Sequence, residues 1–434
     1  MSALLFSKKV MSNLKNSSTQ TSFLRKISQS SLPEGFKASG VHAGIKKAAE
    51  KRDIALIFSE KPCVAAAVFT QNKFCAAPVQ ICKRILETRA EFIHSLVINS
   101  GCANAVTGEK GLENARKMVS LADEATLGKD ESRRPSSLVM STGVIGHHLP
   151  MEKIEAGIRE AASHLENTPE SWLRCAEGFM TTDTRPKLRA FSSKNYRMVG
   201  ISKGAGMIHP NMATLLSMVA TDASITQPCL DAALKYATER SFNSISIDGD
   251  TSTNDTCIVI ANGTEATKIS DINSSEYQQF QEELTTLMIE LAQLIIKDAE
   301  GATKFVTVEV KNADSFASAK HIASTICTSA LVKTALYGQD ANWGRIACAI
   351  GYSGIKAVDP HKVSLSMLPP DGSSALELLR NGEPIHMDET RASEVMAHRD
   401  IHLAVDLGIG SDTATMWTCD FSHEYVTING SYRS

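Results

Sequence analysis

Residues 203–222 read KGAGMIHPNMATLLSMVATD, a glycine-rich stretch that runs into an apolar segment with Thr214 at the junction. If the bond between Ala213 and Thr214 is broken, Thr214 becomes a chain start whose free α-amine lies beside its own hydroxyl. An α-amine has a pKa of about 7.7–8.0, so near neutral pH it accepts the hydroxyl proton far more readily than an unperturbed lysine amine, with a pKa of about 10.4. The stretch therefore predicts a self-cleavage site and an N-terminal threonine nucleophile.

Composition excludes several classes of protein. The 434-residue chain is 43% hydrophobic and 21% charged, which suffices for one large core or two ordinary ones. Its net charge of −3 gives no general attraction to nucleic acid or to anionic membranes. No apolar run approaches the roughly 20 residues that a membrane span needs. We therefore expect a globular protein with neither nucleic acid nor a membrane as its partner.

The cysteines and histidines do not have the sequence spacing that is typical of metal ligands. The ten cysteines stand singly without a C-x-x-C pair, which is typical of buried thiols in a reducing compartment. His147 and His148 are adjacent and lie near no cysteine cluster. We therefore expect no metal site and no bound cofactor.

The first 30 residues differ from the rest of the chain. They contain no Asp or Glu and are rich in serine, and their cations are Lys8, Lys9, Lys15, Arg25 and Lys26. This composition indicates a mitochondrial transit peptide, and the alternative is a disordered basic tail on a cytosolic protein. With cleavage at residue 214, the remaining chain divides into segments 31–213 and 214–434.

Strand-like and helix-like patterns alternate beyond residue 33. Short apolar, β-rich runs at 53–59 and 65–70 predict two separate strands. Helical spacing at 151–165, opening after Pro150, and at 277–297 predicts two of the helices. The mixture predicts an α+β protein with helices outside and extended strands inside.

Two turns rich in small residues are candidate catalytic loops. Asn99–Ala105 follows a predicted strand and has the small and amide side chains of a tight turn. Ser141–Gly146 resembles it, and the Thr142 hydroxyl with the backbone N–H groups near Gly143 could stabilise an oxyanion. The alternative is an ordinary strand-to-helix turn.

Further polar stretches are Thr181–Arg185 and Asp248–Thr256, both dense in hydroxyl groups and carboxylates. The second lacks the glycine and the closing glutamate of a calcium loop, and composition alone favours capped turns for both stretches. Gly204-Ala-Gly206 resembles the start of a dinucleotide-binding loop, but His209 occupies the position of the third glycine. We therefore do not expect a dinucleotide site here.

Taken in order, these motifs resemble the ornithine acetyltransferase (glutamate N-acetyltransferase) family. The matching segments are Asn99–Ala105, Ser141–Gly146, Thr181–Arg185, Lys203–Asp222, Asp248–Thr256, Asp298–Lys304 and Gly338–Arg345. The resemblance covers residues from about 35 to 434 and implies an α/β/β/α sandwich similar to N-terminal-nucleophile folds, built from two self-cleaved chains. It also implies acetyl transfer from N2-acetyl-L-ornithine to L-glutamate in arginine biosynthesis. In some members acetyl-CoA is an additional acetyl donor. This chain departs from the family pattern at residues Cys327–Ala330.

The resemblance also implies roles for individual residues. Thr214 would be the nucleophile, released by cleavage after Ala213, and Thr142 and Gly143 would stabilise the oxyanion. The implied substrate contacts, besides Thr214 itself, are Thr181, Lys203, Glu300, Asn429 and Ser434. Lys203 supplies a cation for the carboxylate of an amino-acid substrate, and Glu300 suits an amino group. The alternative is that Lys203 and Glu300 are ordinary surface charges.

Three further expectations concern partners and alternatives. The resemblance implies that the two chains associate, and that they assemble as a heterotetramer in the mitochondrial matrix. An aminopeptidase or amidohydrolase of related fold, using the same self-generated nucleophile, is the alternative enzyme. A protein that never cleaves itself and only binds a partner is the alternative from another class.

Overall fold

The computed structural model describes residues 27–209 and 215–431, and these residues divide into two units. One unit holds residues 27–243 and 250–295 apart from 210–214, and the other holds residues 244–249 and 296–431. Each unit has its own β-sheet and its own helices, so the predicted α+β class is confirmed. None of the helices in the described ranges is long and apolar enough to cross a membrane.

The strands are β1 (Phe36–Val41), β2 (Ile54–Phe69), β3 (Ile93–Cys102), β4 (Ser137–Val144), β5 (Lys187–Ser192), β6 (Arg197–Lys203), β7 (Leu216–Thr221), β8 (Ser224–Ile225), β9 (Ile245–Ser246), β10 (Thr256–Ala261), β11 (Lys268–Ile269), β12 (Phe305–Ala313), β13 (Ser364–Leu368), β14 (Leu376–Arg380), β15 (Glu383–Pro384), β16 (Asp400–Asp406) and β17 (Asp412–Cys419). The helices are α1 (Ala77–Arg89), α2 (Gly108–Leu127), α3 (Met151–Ser163), α4 (Pro169–Phe179), α5 (Gln227–Arg240), α6 (Ser275–Lys297), α7 (Phe316–Thr328), α8 (Ala330–Tyr337), α9 (Trp343–Tyr352), α10 (Glu389–Ala397) and α11 (His423–Gly430). Short 3₁₀ turns lie at Gln29–Ser31 and Phe242–Ser244.

The sheet of the first unit has the strand order β4-β3-β2-β10-β7-β6-β5, and β1 pairs with β2 beside this path. Helix α2 packs on β3 and β4, α3 on β1 and β2, and α4 on β1, β2 and β3. Helix α6 approaches β6 so closely that a Cβ at Gly200 would lie 2.7 Å from Cδ1 of Leu291. Strands before and after residue 214 share this sheet, because β7 lies between β6 and β10.

One strand differs from the sequence prediction. The two separate strands expected at 53–59 and 65–70 are a single strand, β2, which runs continuously from Ile54 to Phe69. Its first half pairs with β1 and β3, its second half pairs with β10, and the register with β3 shifts between Phe58 and Cys63. Pro62 resembles a turn residue, but it lies in this irregular stretch, where its missing N–H breaks no regular ladder.

The sheet of the second unit has the order β15-β14-β13-β16-β12-β17-β9. Alternating residues of its strands, such as Leu365 and Met367 of β13 and Leu403 and Val405 of β16, are buried in one apolar cluster. Helix α7 packs on β12 and β17 from this side, and α9 packs on α7. This unit carries the Asp298–Lys304 motif and the C-terminal helix α11.

Candidate active site

The parallel strands β3 and β4 end together at two glycines. Gly101 pairs with Gly143, whose φ of +130° lies in the region that favours glycine. A Cβ at Gly143 would lie 2.3 Å from the carbonyl carbon of Gly101, so no other residue fits there without movement. Two of the small-residue motifs therefore meet backbone to backbone.

A buried amide network joins these strand ends to a third motif. Asn254 Nδ2 donates to the carbonyl oxygens of Ala103, at 2.6 Å, and Ser141, at 2.8 Å. The Ser141 hydroxyl donates to Asn99 Oδ1 at 2.5 Å, and Asn99 Nδ2 donates to the Cys102 carbonyl at 2.9 Å. The network provides donors to three backbone carbonyl groups near the strand ends, so it holds the loops in one arrangement.

Lys203 contacts Thr142 in this unit. The ammonium group of Lys203, at the end of β6, donates to Thr142 Oγ1 at 3.1 Å, and Thr142 is only 8% exposed. Four strands separate β4 from β6 in the sheet order, so the sheet curls to bring the two strand ends together. Since Oγ1 accepts from a cation, the hydroxyl proton points elsewhere and is a stronger hydrogen-bond donor than in an isolated hydroxyl group.

Thr181 lies just after α4 and is linked to Lys203 through a buried carboxylate. Its backbone N–H donates to Asp183 Oδ2 at 2.9 Å, and the N–H of Gly204 donates to Asp183 Oδ1 at 2.7 Å. Burial alone would raise the pKa of Asp183, but the charges of Lys187 and Lys203 and the Gly204 N–H hold that pKa well below its usual range. Asp183 is therefore ionised at neutral pH.

Lys46 supports the same loop from the other side. Its Nζ donates to the carbonyl oxygens of Arg52 at 2.6 Å and Met180 at 2.7 Å. Burial lowers the pKa of Lys46 to about 8, against the opposing effect of Asp53 and Asp183. Lys46 is thus half-buried and charged near neutral pH, and it is hydrogen-bonded to Met180, the residue before Thr181.

Glu300 and Asn429 are brought together in the second unit. Asn429 Nδ2, on α11, donates to Glu300 Oε2 at 2.8 Å, and Glu300 is 8% exposed. The burial of Glu300 argues against the alternative that it is an ordinary surface charge.

The loop that carries Glu300 is fixed by the segment before α11. Asp420 accepts from the backbone N–H groups of Thr303 at 2.9 Å and Lys304 at 2.8 Å. The Ser422 hydroxyl donates to the Gly301 carbonyl at 2.6 Å, and Gly301 has a φ of +68°. A Cβ at Gly301 would lie 2.7 Å from the Tyr425 backbone nitrogen, so glycine is required for this close approach.

Not every predicted site residue is covered by the structure. Ala213, Thr214 and Ser434 lie outside the described residues, as does most of the predicted transit peptide. Leu216, two residues after Thr214 in the sequence, is the first residue of β7 and pairs with Lys203. Sequence reasoning gave no role to Asp183 or Asn254, although both lie in quoted motifs, and gave no signal for Lys46.

Comparison with known proteins supplies the family. The sequence model of the ArgJ family matches residues 37–434, which is nearly the whole chain. The chain belongs to the ArgJ family. The resemblance found in the sequence motifs is thereby confirmed.

Individual ArgJ proteins are similar over most of their length. The mitochondrial arginine biosynthesis bifunctional protein ArgJ of Arthroderma otae is 53% identical over 428 residues, 94% of this chain and 90% of that protein. Its namesake from Yarrowia lipolytica is 52% identical over 413 residues, 94% of this chain and 95% of that protein. A crystal structure of ArgJ from Bacillus halodurans is 38% identical, with a TM-score of 0.45, over 49% of this chain and 96% of that one.

Membership of the ArgJ family fixes the general activity. The chain is an acyltransferase of arginine biosynthesis, as the sequence motifs predict. Its mitochondrial location is confirmed as well, since these ArgJ relatives are named mitochondrial proteins.

Proposed function

We propose that this enzyme transfers an acetyl group from N2-acetyl-L-ornithine to L-glutamate through an acetyl ester of Thr214, and that acetyl-CoA is a second donor. The observation that carries the proposal is the hydrogen bond from Lys203 to the Thr142 hydroxyl beside the close-packed Gly143. This arrangement is suited to stabilise an oxyanion. Lys203 is the last residue of β6 and pairs with Leu216, the first residue of β7. Leu216 follows Thr214 by two residues in the sequence.

Maturation comes first in this proposal. The Thr214 hydroxyl attacks the Ala213 carbonyl carbon and converts the peptide bond to an ester, and water then hydrolyses the ester. The products are one chain that ends at Ala213 and a second chain, residues 214–434, that begins with a free threonine. The new α-amine has a pKa of about 7.7–8.0 and serves as the base for turnover.

Turnover then uses the same oxygen twice. The Thr214 hydroxyl gives its proton to the α-amine and attacks the acetyl carbonyl carbon of acetylornithine, while Thr142 and Gly143 stabilise the oxyanion. The C–N bond breaks, ornithine leaves with the proton, and an acetyl ester remains on Thr214. The amine of glutamate attacks this ester, and N-acetylglutamate leaves as the hydroxyl is restored.

Substrate recognition is assigned to Thr181, Lys203, Glu300, Asn429 and Ser434. Lys203 would attract the carboxylate of either amino acid, and Glu300 would pair with the side-chain amine of ornithine. Burial of Glu300 and its hydrogen bond to Asn429 support a functional role for both residues. The two chains formed by cleavage would stay associated, and we propose that they assemble as a heterotetramer.

Dependence on the acceptor tests the proposed reaction. Purified enzyme is incubated with N-acetylornithine, and released ornithine is measured with and without glutamate. A transferase releases ornithine much faster when glutamate is present and forms one N-acetylglutamate for each ornithine. Release that does not depend on any amino-acid acceptor would instead indicate the amidohydrolase. Acetyl-CoA with glutamate, assayed in parallel, decides whether it is a productive donor.

A further inference from the structure

The buried carboxylate of Asp183 joins two segments that carry proposed substrate contacts. One oxygen accepts from the N–H of Thr181 at 2.9 Å, and the other accepts from the N–H of Gly204, directly after Lys203, at 2.7 Å. Thr181 follows the end of α4 and Gly204 follows the end of β6, so neither N–H is used by regular secondary structure. Without Asp183 both amides would need another partner, at a half-buried position for Thr181 and a buried position for Gly204.

The peptide group between Met180 and Thr181 is held from both sides. Its carbonyl oxygen accepts from Lys46 Nζ at 2.7 Å, and its N–H donates to Asp183. Because a peptide group is planar, fixing its oxygen and its hydrogen fixes the rotation of the whole plane. The plane in turn fixes the direction of the N–Cα bond of Thr181, from whose Cα the side chain leaves the backbone. Two charged side chains therefore hold the backbone from which one proposed substrate contact projects.

Lys187 makes the buried charge of Asp183 tolerable. Its Nζ lies 2.5 Å from Asp183 Oδ1, and both side chains are fully buried. A buried carboxylate that is paired with a cation and accepts two N–H groups has well-satisfied oxygens. The carboxylate thus keeps its charge, and it forms stronger hydrogen bonds to the two amides than a neutral acceptor would.

We propose that Asp183 is a positioning residue for acetyl transfer, which fixes Thr181 relative to Lys203 without touching the substrate. The inference rests on the proposed function of those two residues. Asp183→Asn removes the charge and replaces one accepting oxygen with a donor, so only one of the two backbone amides can keep its partner. The variant separates positioning from side-chain size, since asparagine and aspartate have nearly the same shape.

Asp222 offers a matched control in the same unit. Its carboxylate is buried and accepts from the N–H groups of Glu34 at 2.9 Å and Arg197 at 2.6 Å, and it pairs with Arg197 Nε at 2.8 Å. Arg197 begins β6 whereas Lys203 ends it, so Asp222 lies at the opposite end of that strand. Asp222→Asn therefore removes an equivalent set of contacts away from the proposed site.

Two measurements are made on wild type and both variants. The first is kcat/KM for N-acetylornithine with saturating glutamate, and the second is amide hydrogen exchange in peptides that cover residues 180–187 and 200–206. For Asp183→Asn we expect a loss of about tenfold to a hundredfold in kcat/KM, together with faster exchange in both peptides. Asp222→Asn should change neither kcat/KM nor the exchange rates of these two peptides. In a Thr181→Ala background the loss caused by Asp183→Asn should shrink, because both changes act on one contact.

The outcomes are distinguishable. Wild-type kcat/KM in Asp183→Asn, or an equal loss in Asp222→Asn, would overturn the inference, because the effect would be absent or merely that of lost stability. If wild-type enzyme transfers no acetyl group, the proposed function fails, and the exchange measurement alone decides whether Asp183 fixes the two segments. Unchanged exchange in both peptides would then overturn the positioning role as well.

Discussion

Thr142 combines two contacts in one hydroxyl group, since it accepts from Lys203 and is proposed to donate to the oxyanion. Thr142→Val removes the hydroxyl at nearly constant volume. We expect kcat to fall by about 10²–10³-fold with a much smaller change in KM, because the donor acts mainly in the transition state. Steady-state kinetics measure both constants, and Thr142→Ser, which keeps the hydroxyl, serves as the control. A Thr142→Val enzyme with wild-type kcat would exclude Thr142 from the oxyanion site.

Gly143 and Gly146 give a matched pair for backbone packing. Both have positive φ, +130° and +82°, but a Cβ at Gly143 would meet Gly101 at 2.3 Å, whereas nothing lies within 4 Å of one at Gly146. We expect Gly143→Ala to lower the free energy of unfolding by about 2–4 kcal/mol and Gly146→Ala by about 1 kcal/mol. Denaturant unfolding of both variants measures the difference. Equal losses would show that the close approach of β3 and β4 is not required.

At the scale of elements, the ends of β3 and β4 depend on Asn254. Asn254→Asp would place a carboxylate against the carbonyl oxygens of Ala103 and Ser141, which now accept from the amide. We expect a loss of about 2–4 kcal/mol in the free energy of unfolding and a clear fall in kcat. Asn72→Asp is the control, because the half-buried Asn72 amide donates to a single carbonyl, that of Thr251. Comparable stability of the two variants would contradict the role of the network.

Several elements follow directly from the sequence, and the exceptions have physical causes. The helix expected at 277–297 is α6, Ser275–Lys297, because its apolar spacing spans many turns. The strand pattern failed at β2, where Glu60, Lys61 and Pro62 resemble a turn but belong to a continuous strand. Periodicity reports which face is buried, and it does not report whether an irregular strand continues through a gap in its ladder.

The candidate site was predictable to the extent that its residues lie in recognisable motifs. Thr142, Gly143 and Lys203 were expected from motif order, and the structure joins them in one unit. Lys46 could not be found this way, because its role comes from two carbonyl oxygens, those of Arg52 and Met180, at the end of a long side chain. Contacts to backbone carbonyls leave no residue pattern in the sequence.

For the whole molecule, the cysteines predict a simple pattern of thiol reactivity. All ten are unpaired; Cys348 is exposed, Cys75 is half-buried and the others are buried. Burial raises the pKa of thiols such as Cys63, Cys82 and Cys257 to about 12. We expect a thiol reagent at pH 8 to modify Cys348 rapidly and Cys75 slowly in the native protein, and all ten thiols after unfolding. Peptide mapping identifies the sites, and rapid native modification of buried cysteines would contradict this packing.

The central claim, a threonine nucleophile created by self-cleavage, is tested most directly by intact-mass analysis. Wild type and Thr214→Ala are purified in parallel, and each is measured before and after incubation with N-acetylornithine in the absence of glutamate. We predict that wild type consists of two chains divided between Ala213 and Thr214 and that the second chain gains one acetyl group, which glutamate removes. Thr214→Ala should remain a single chain without acetylation. A correctly folded wild type that stays in one piece, or a mutant that is cleaved and acetylated equally, would contradict the account.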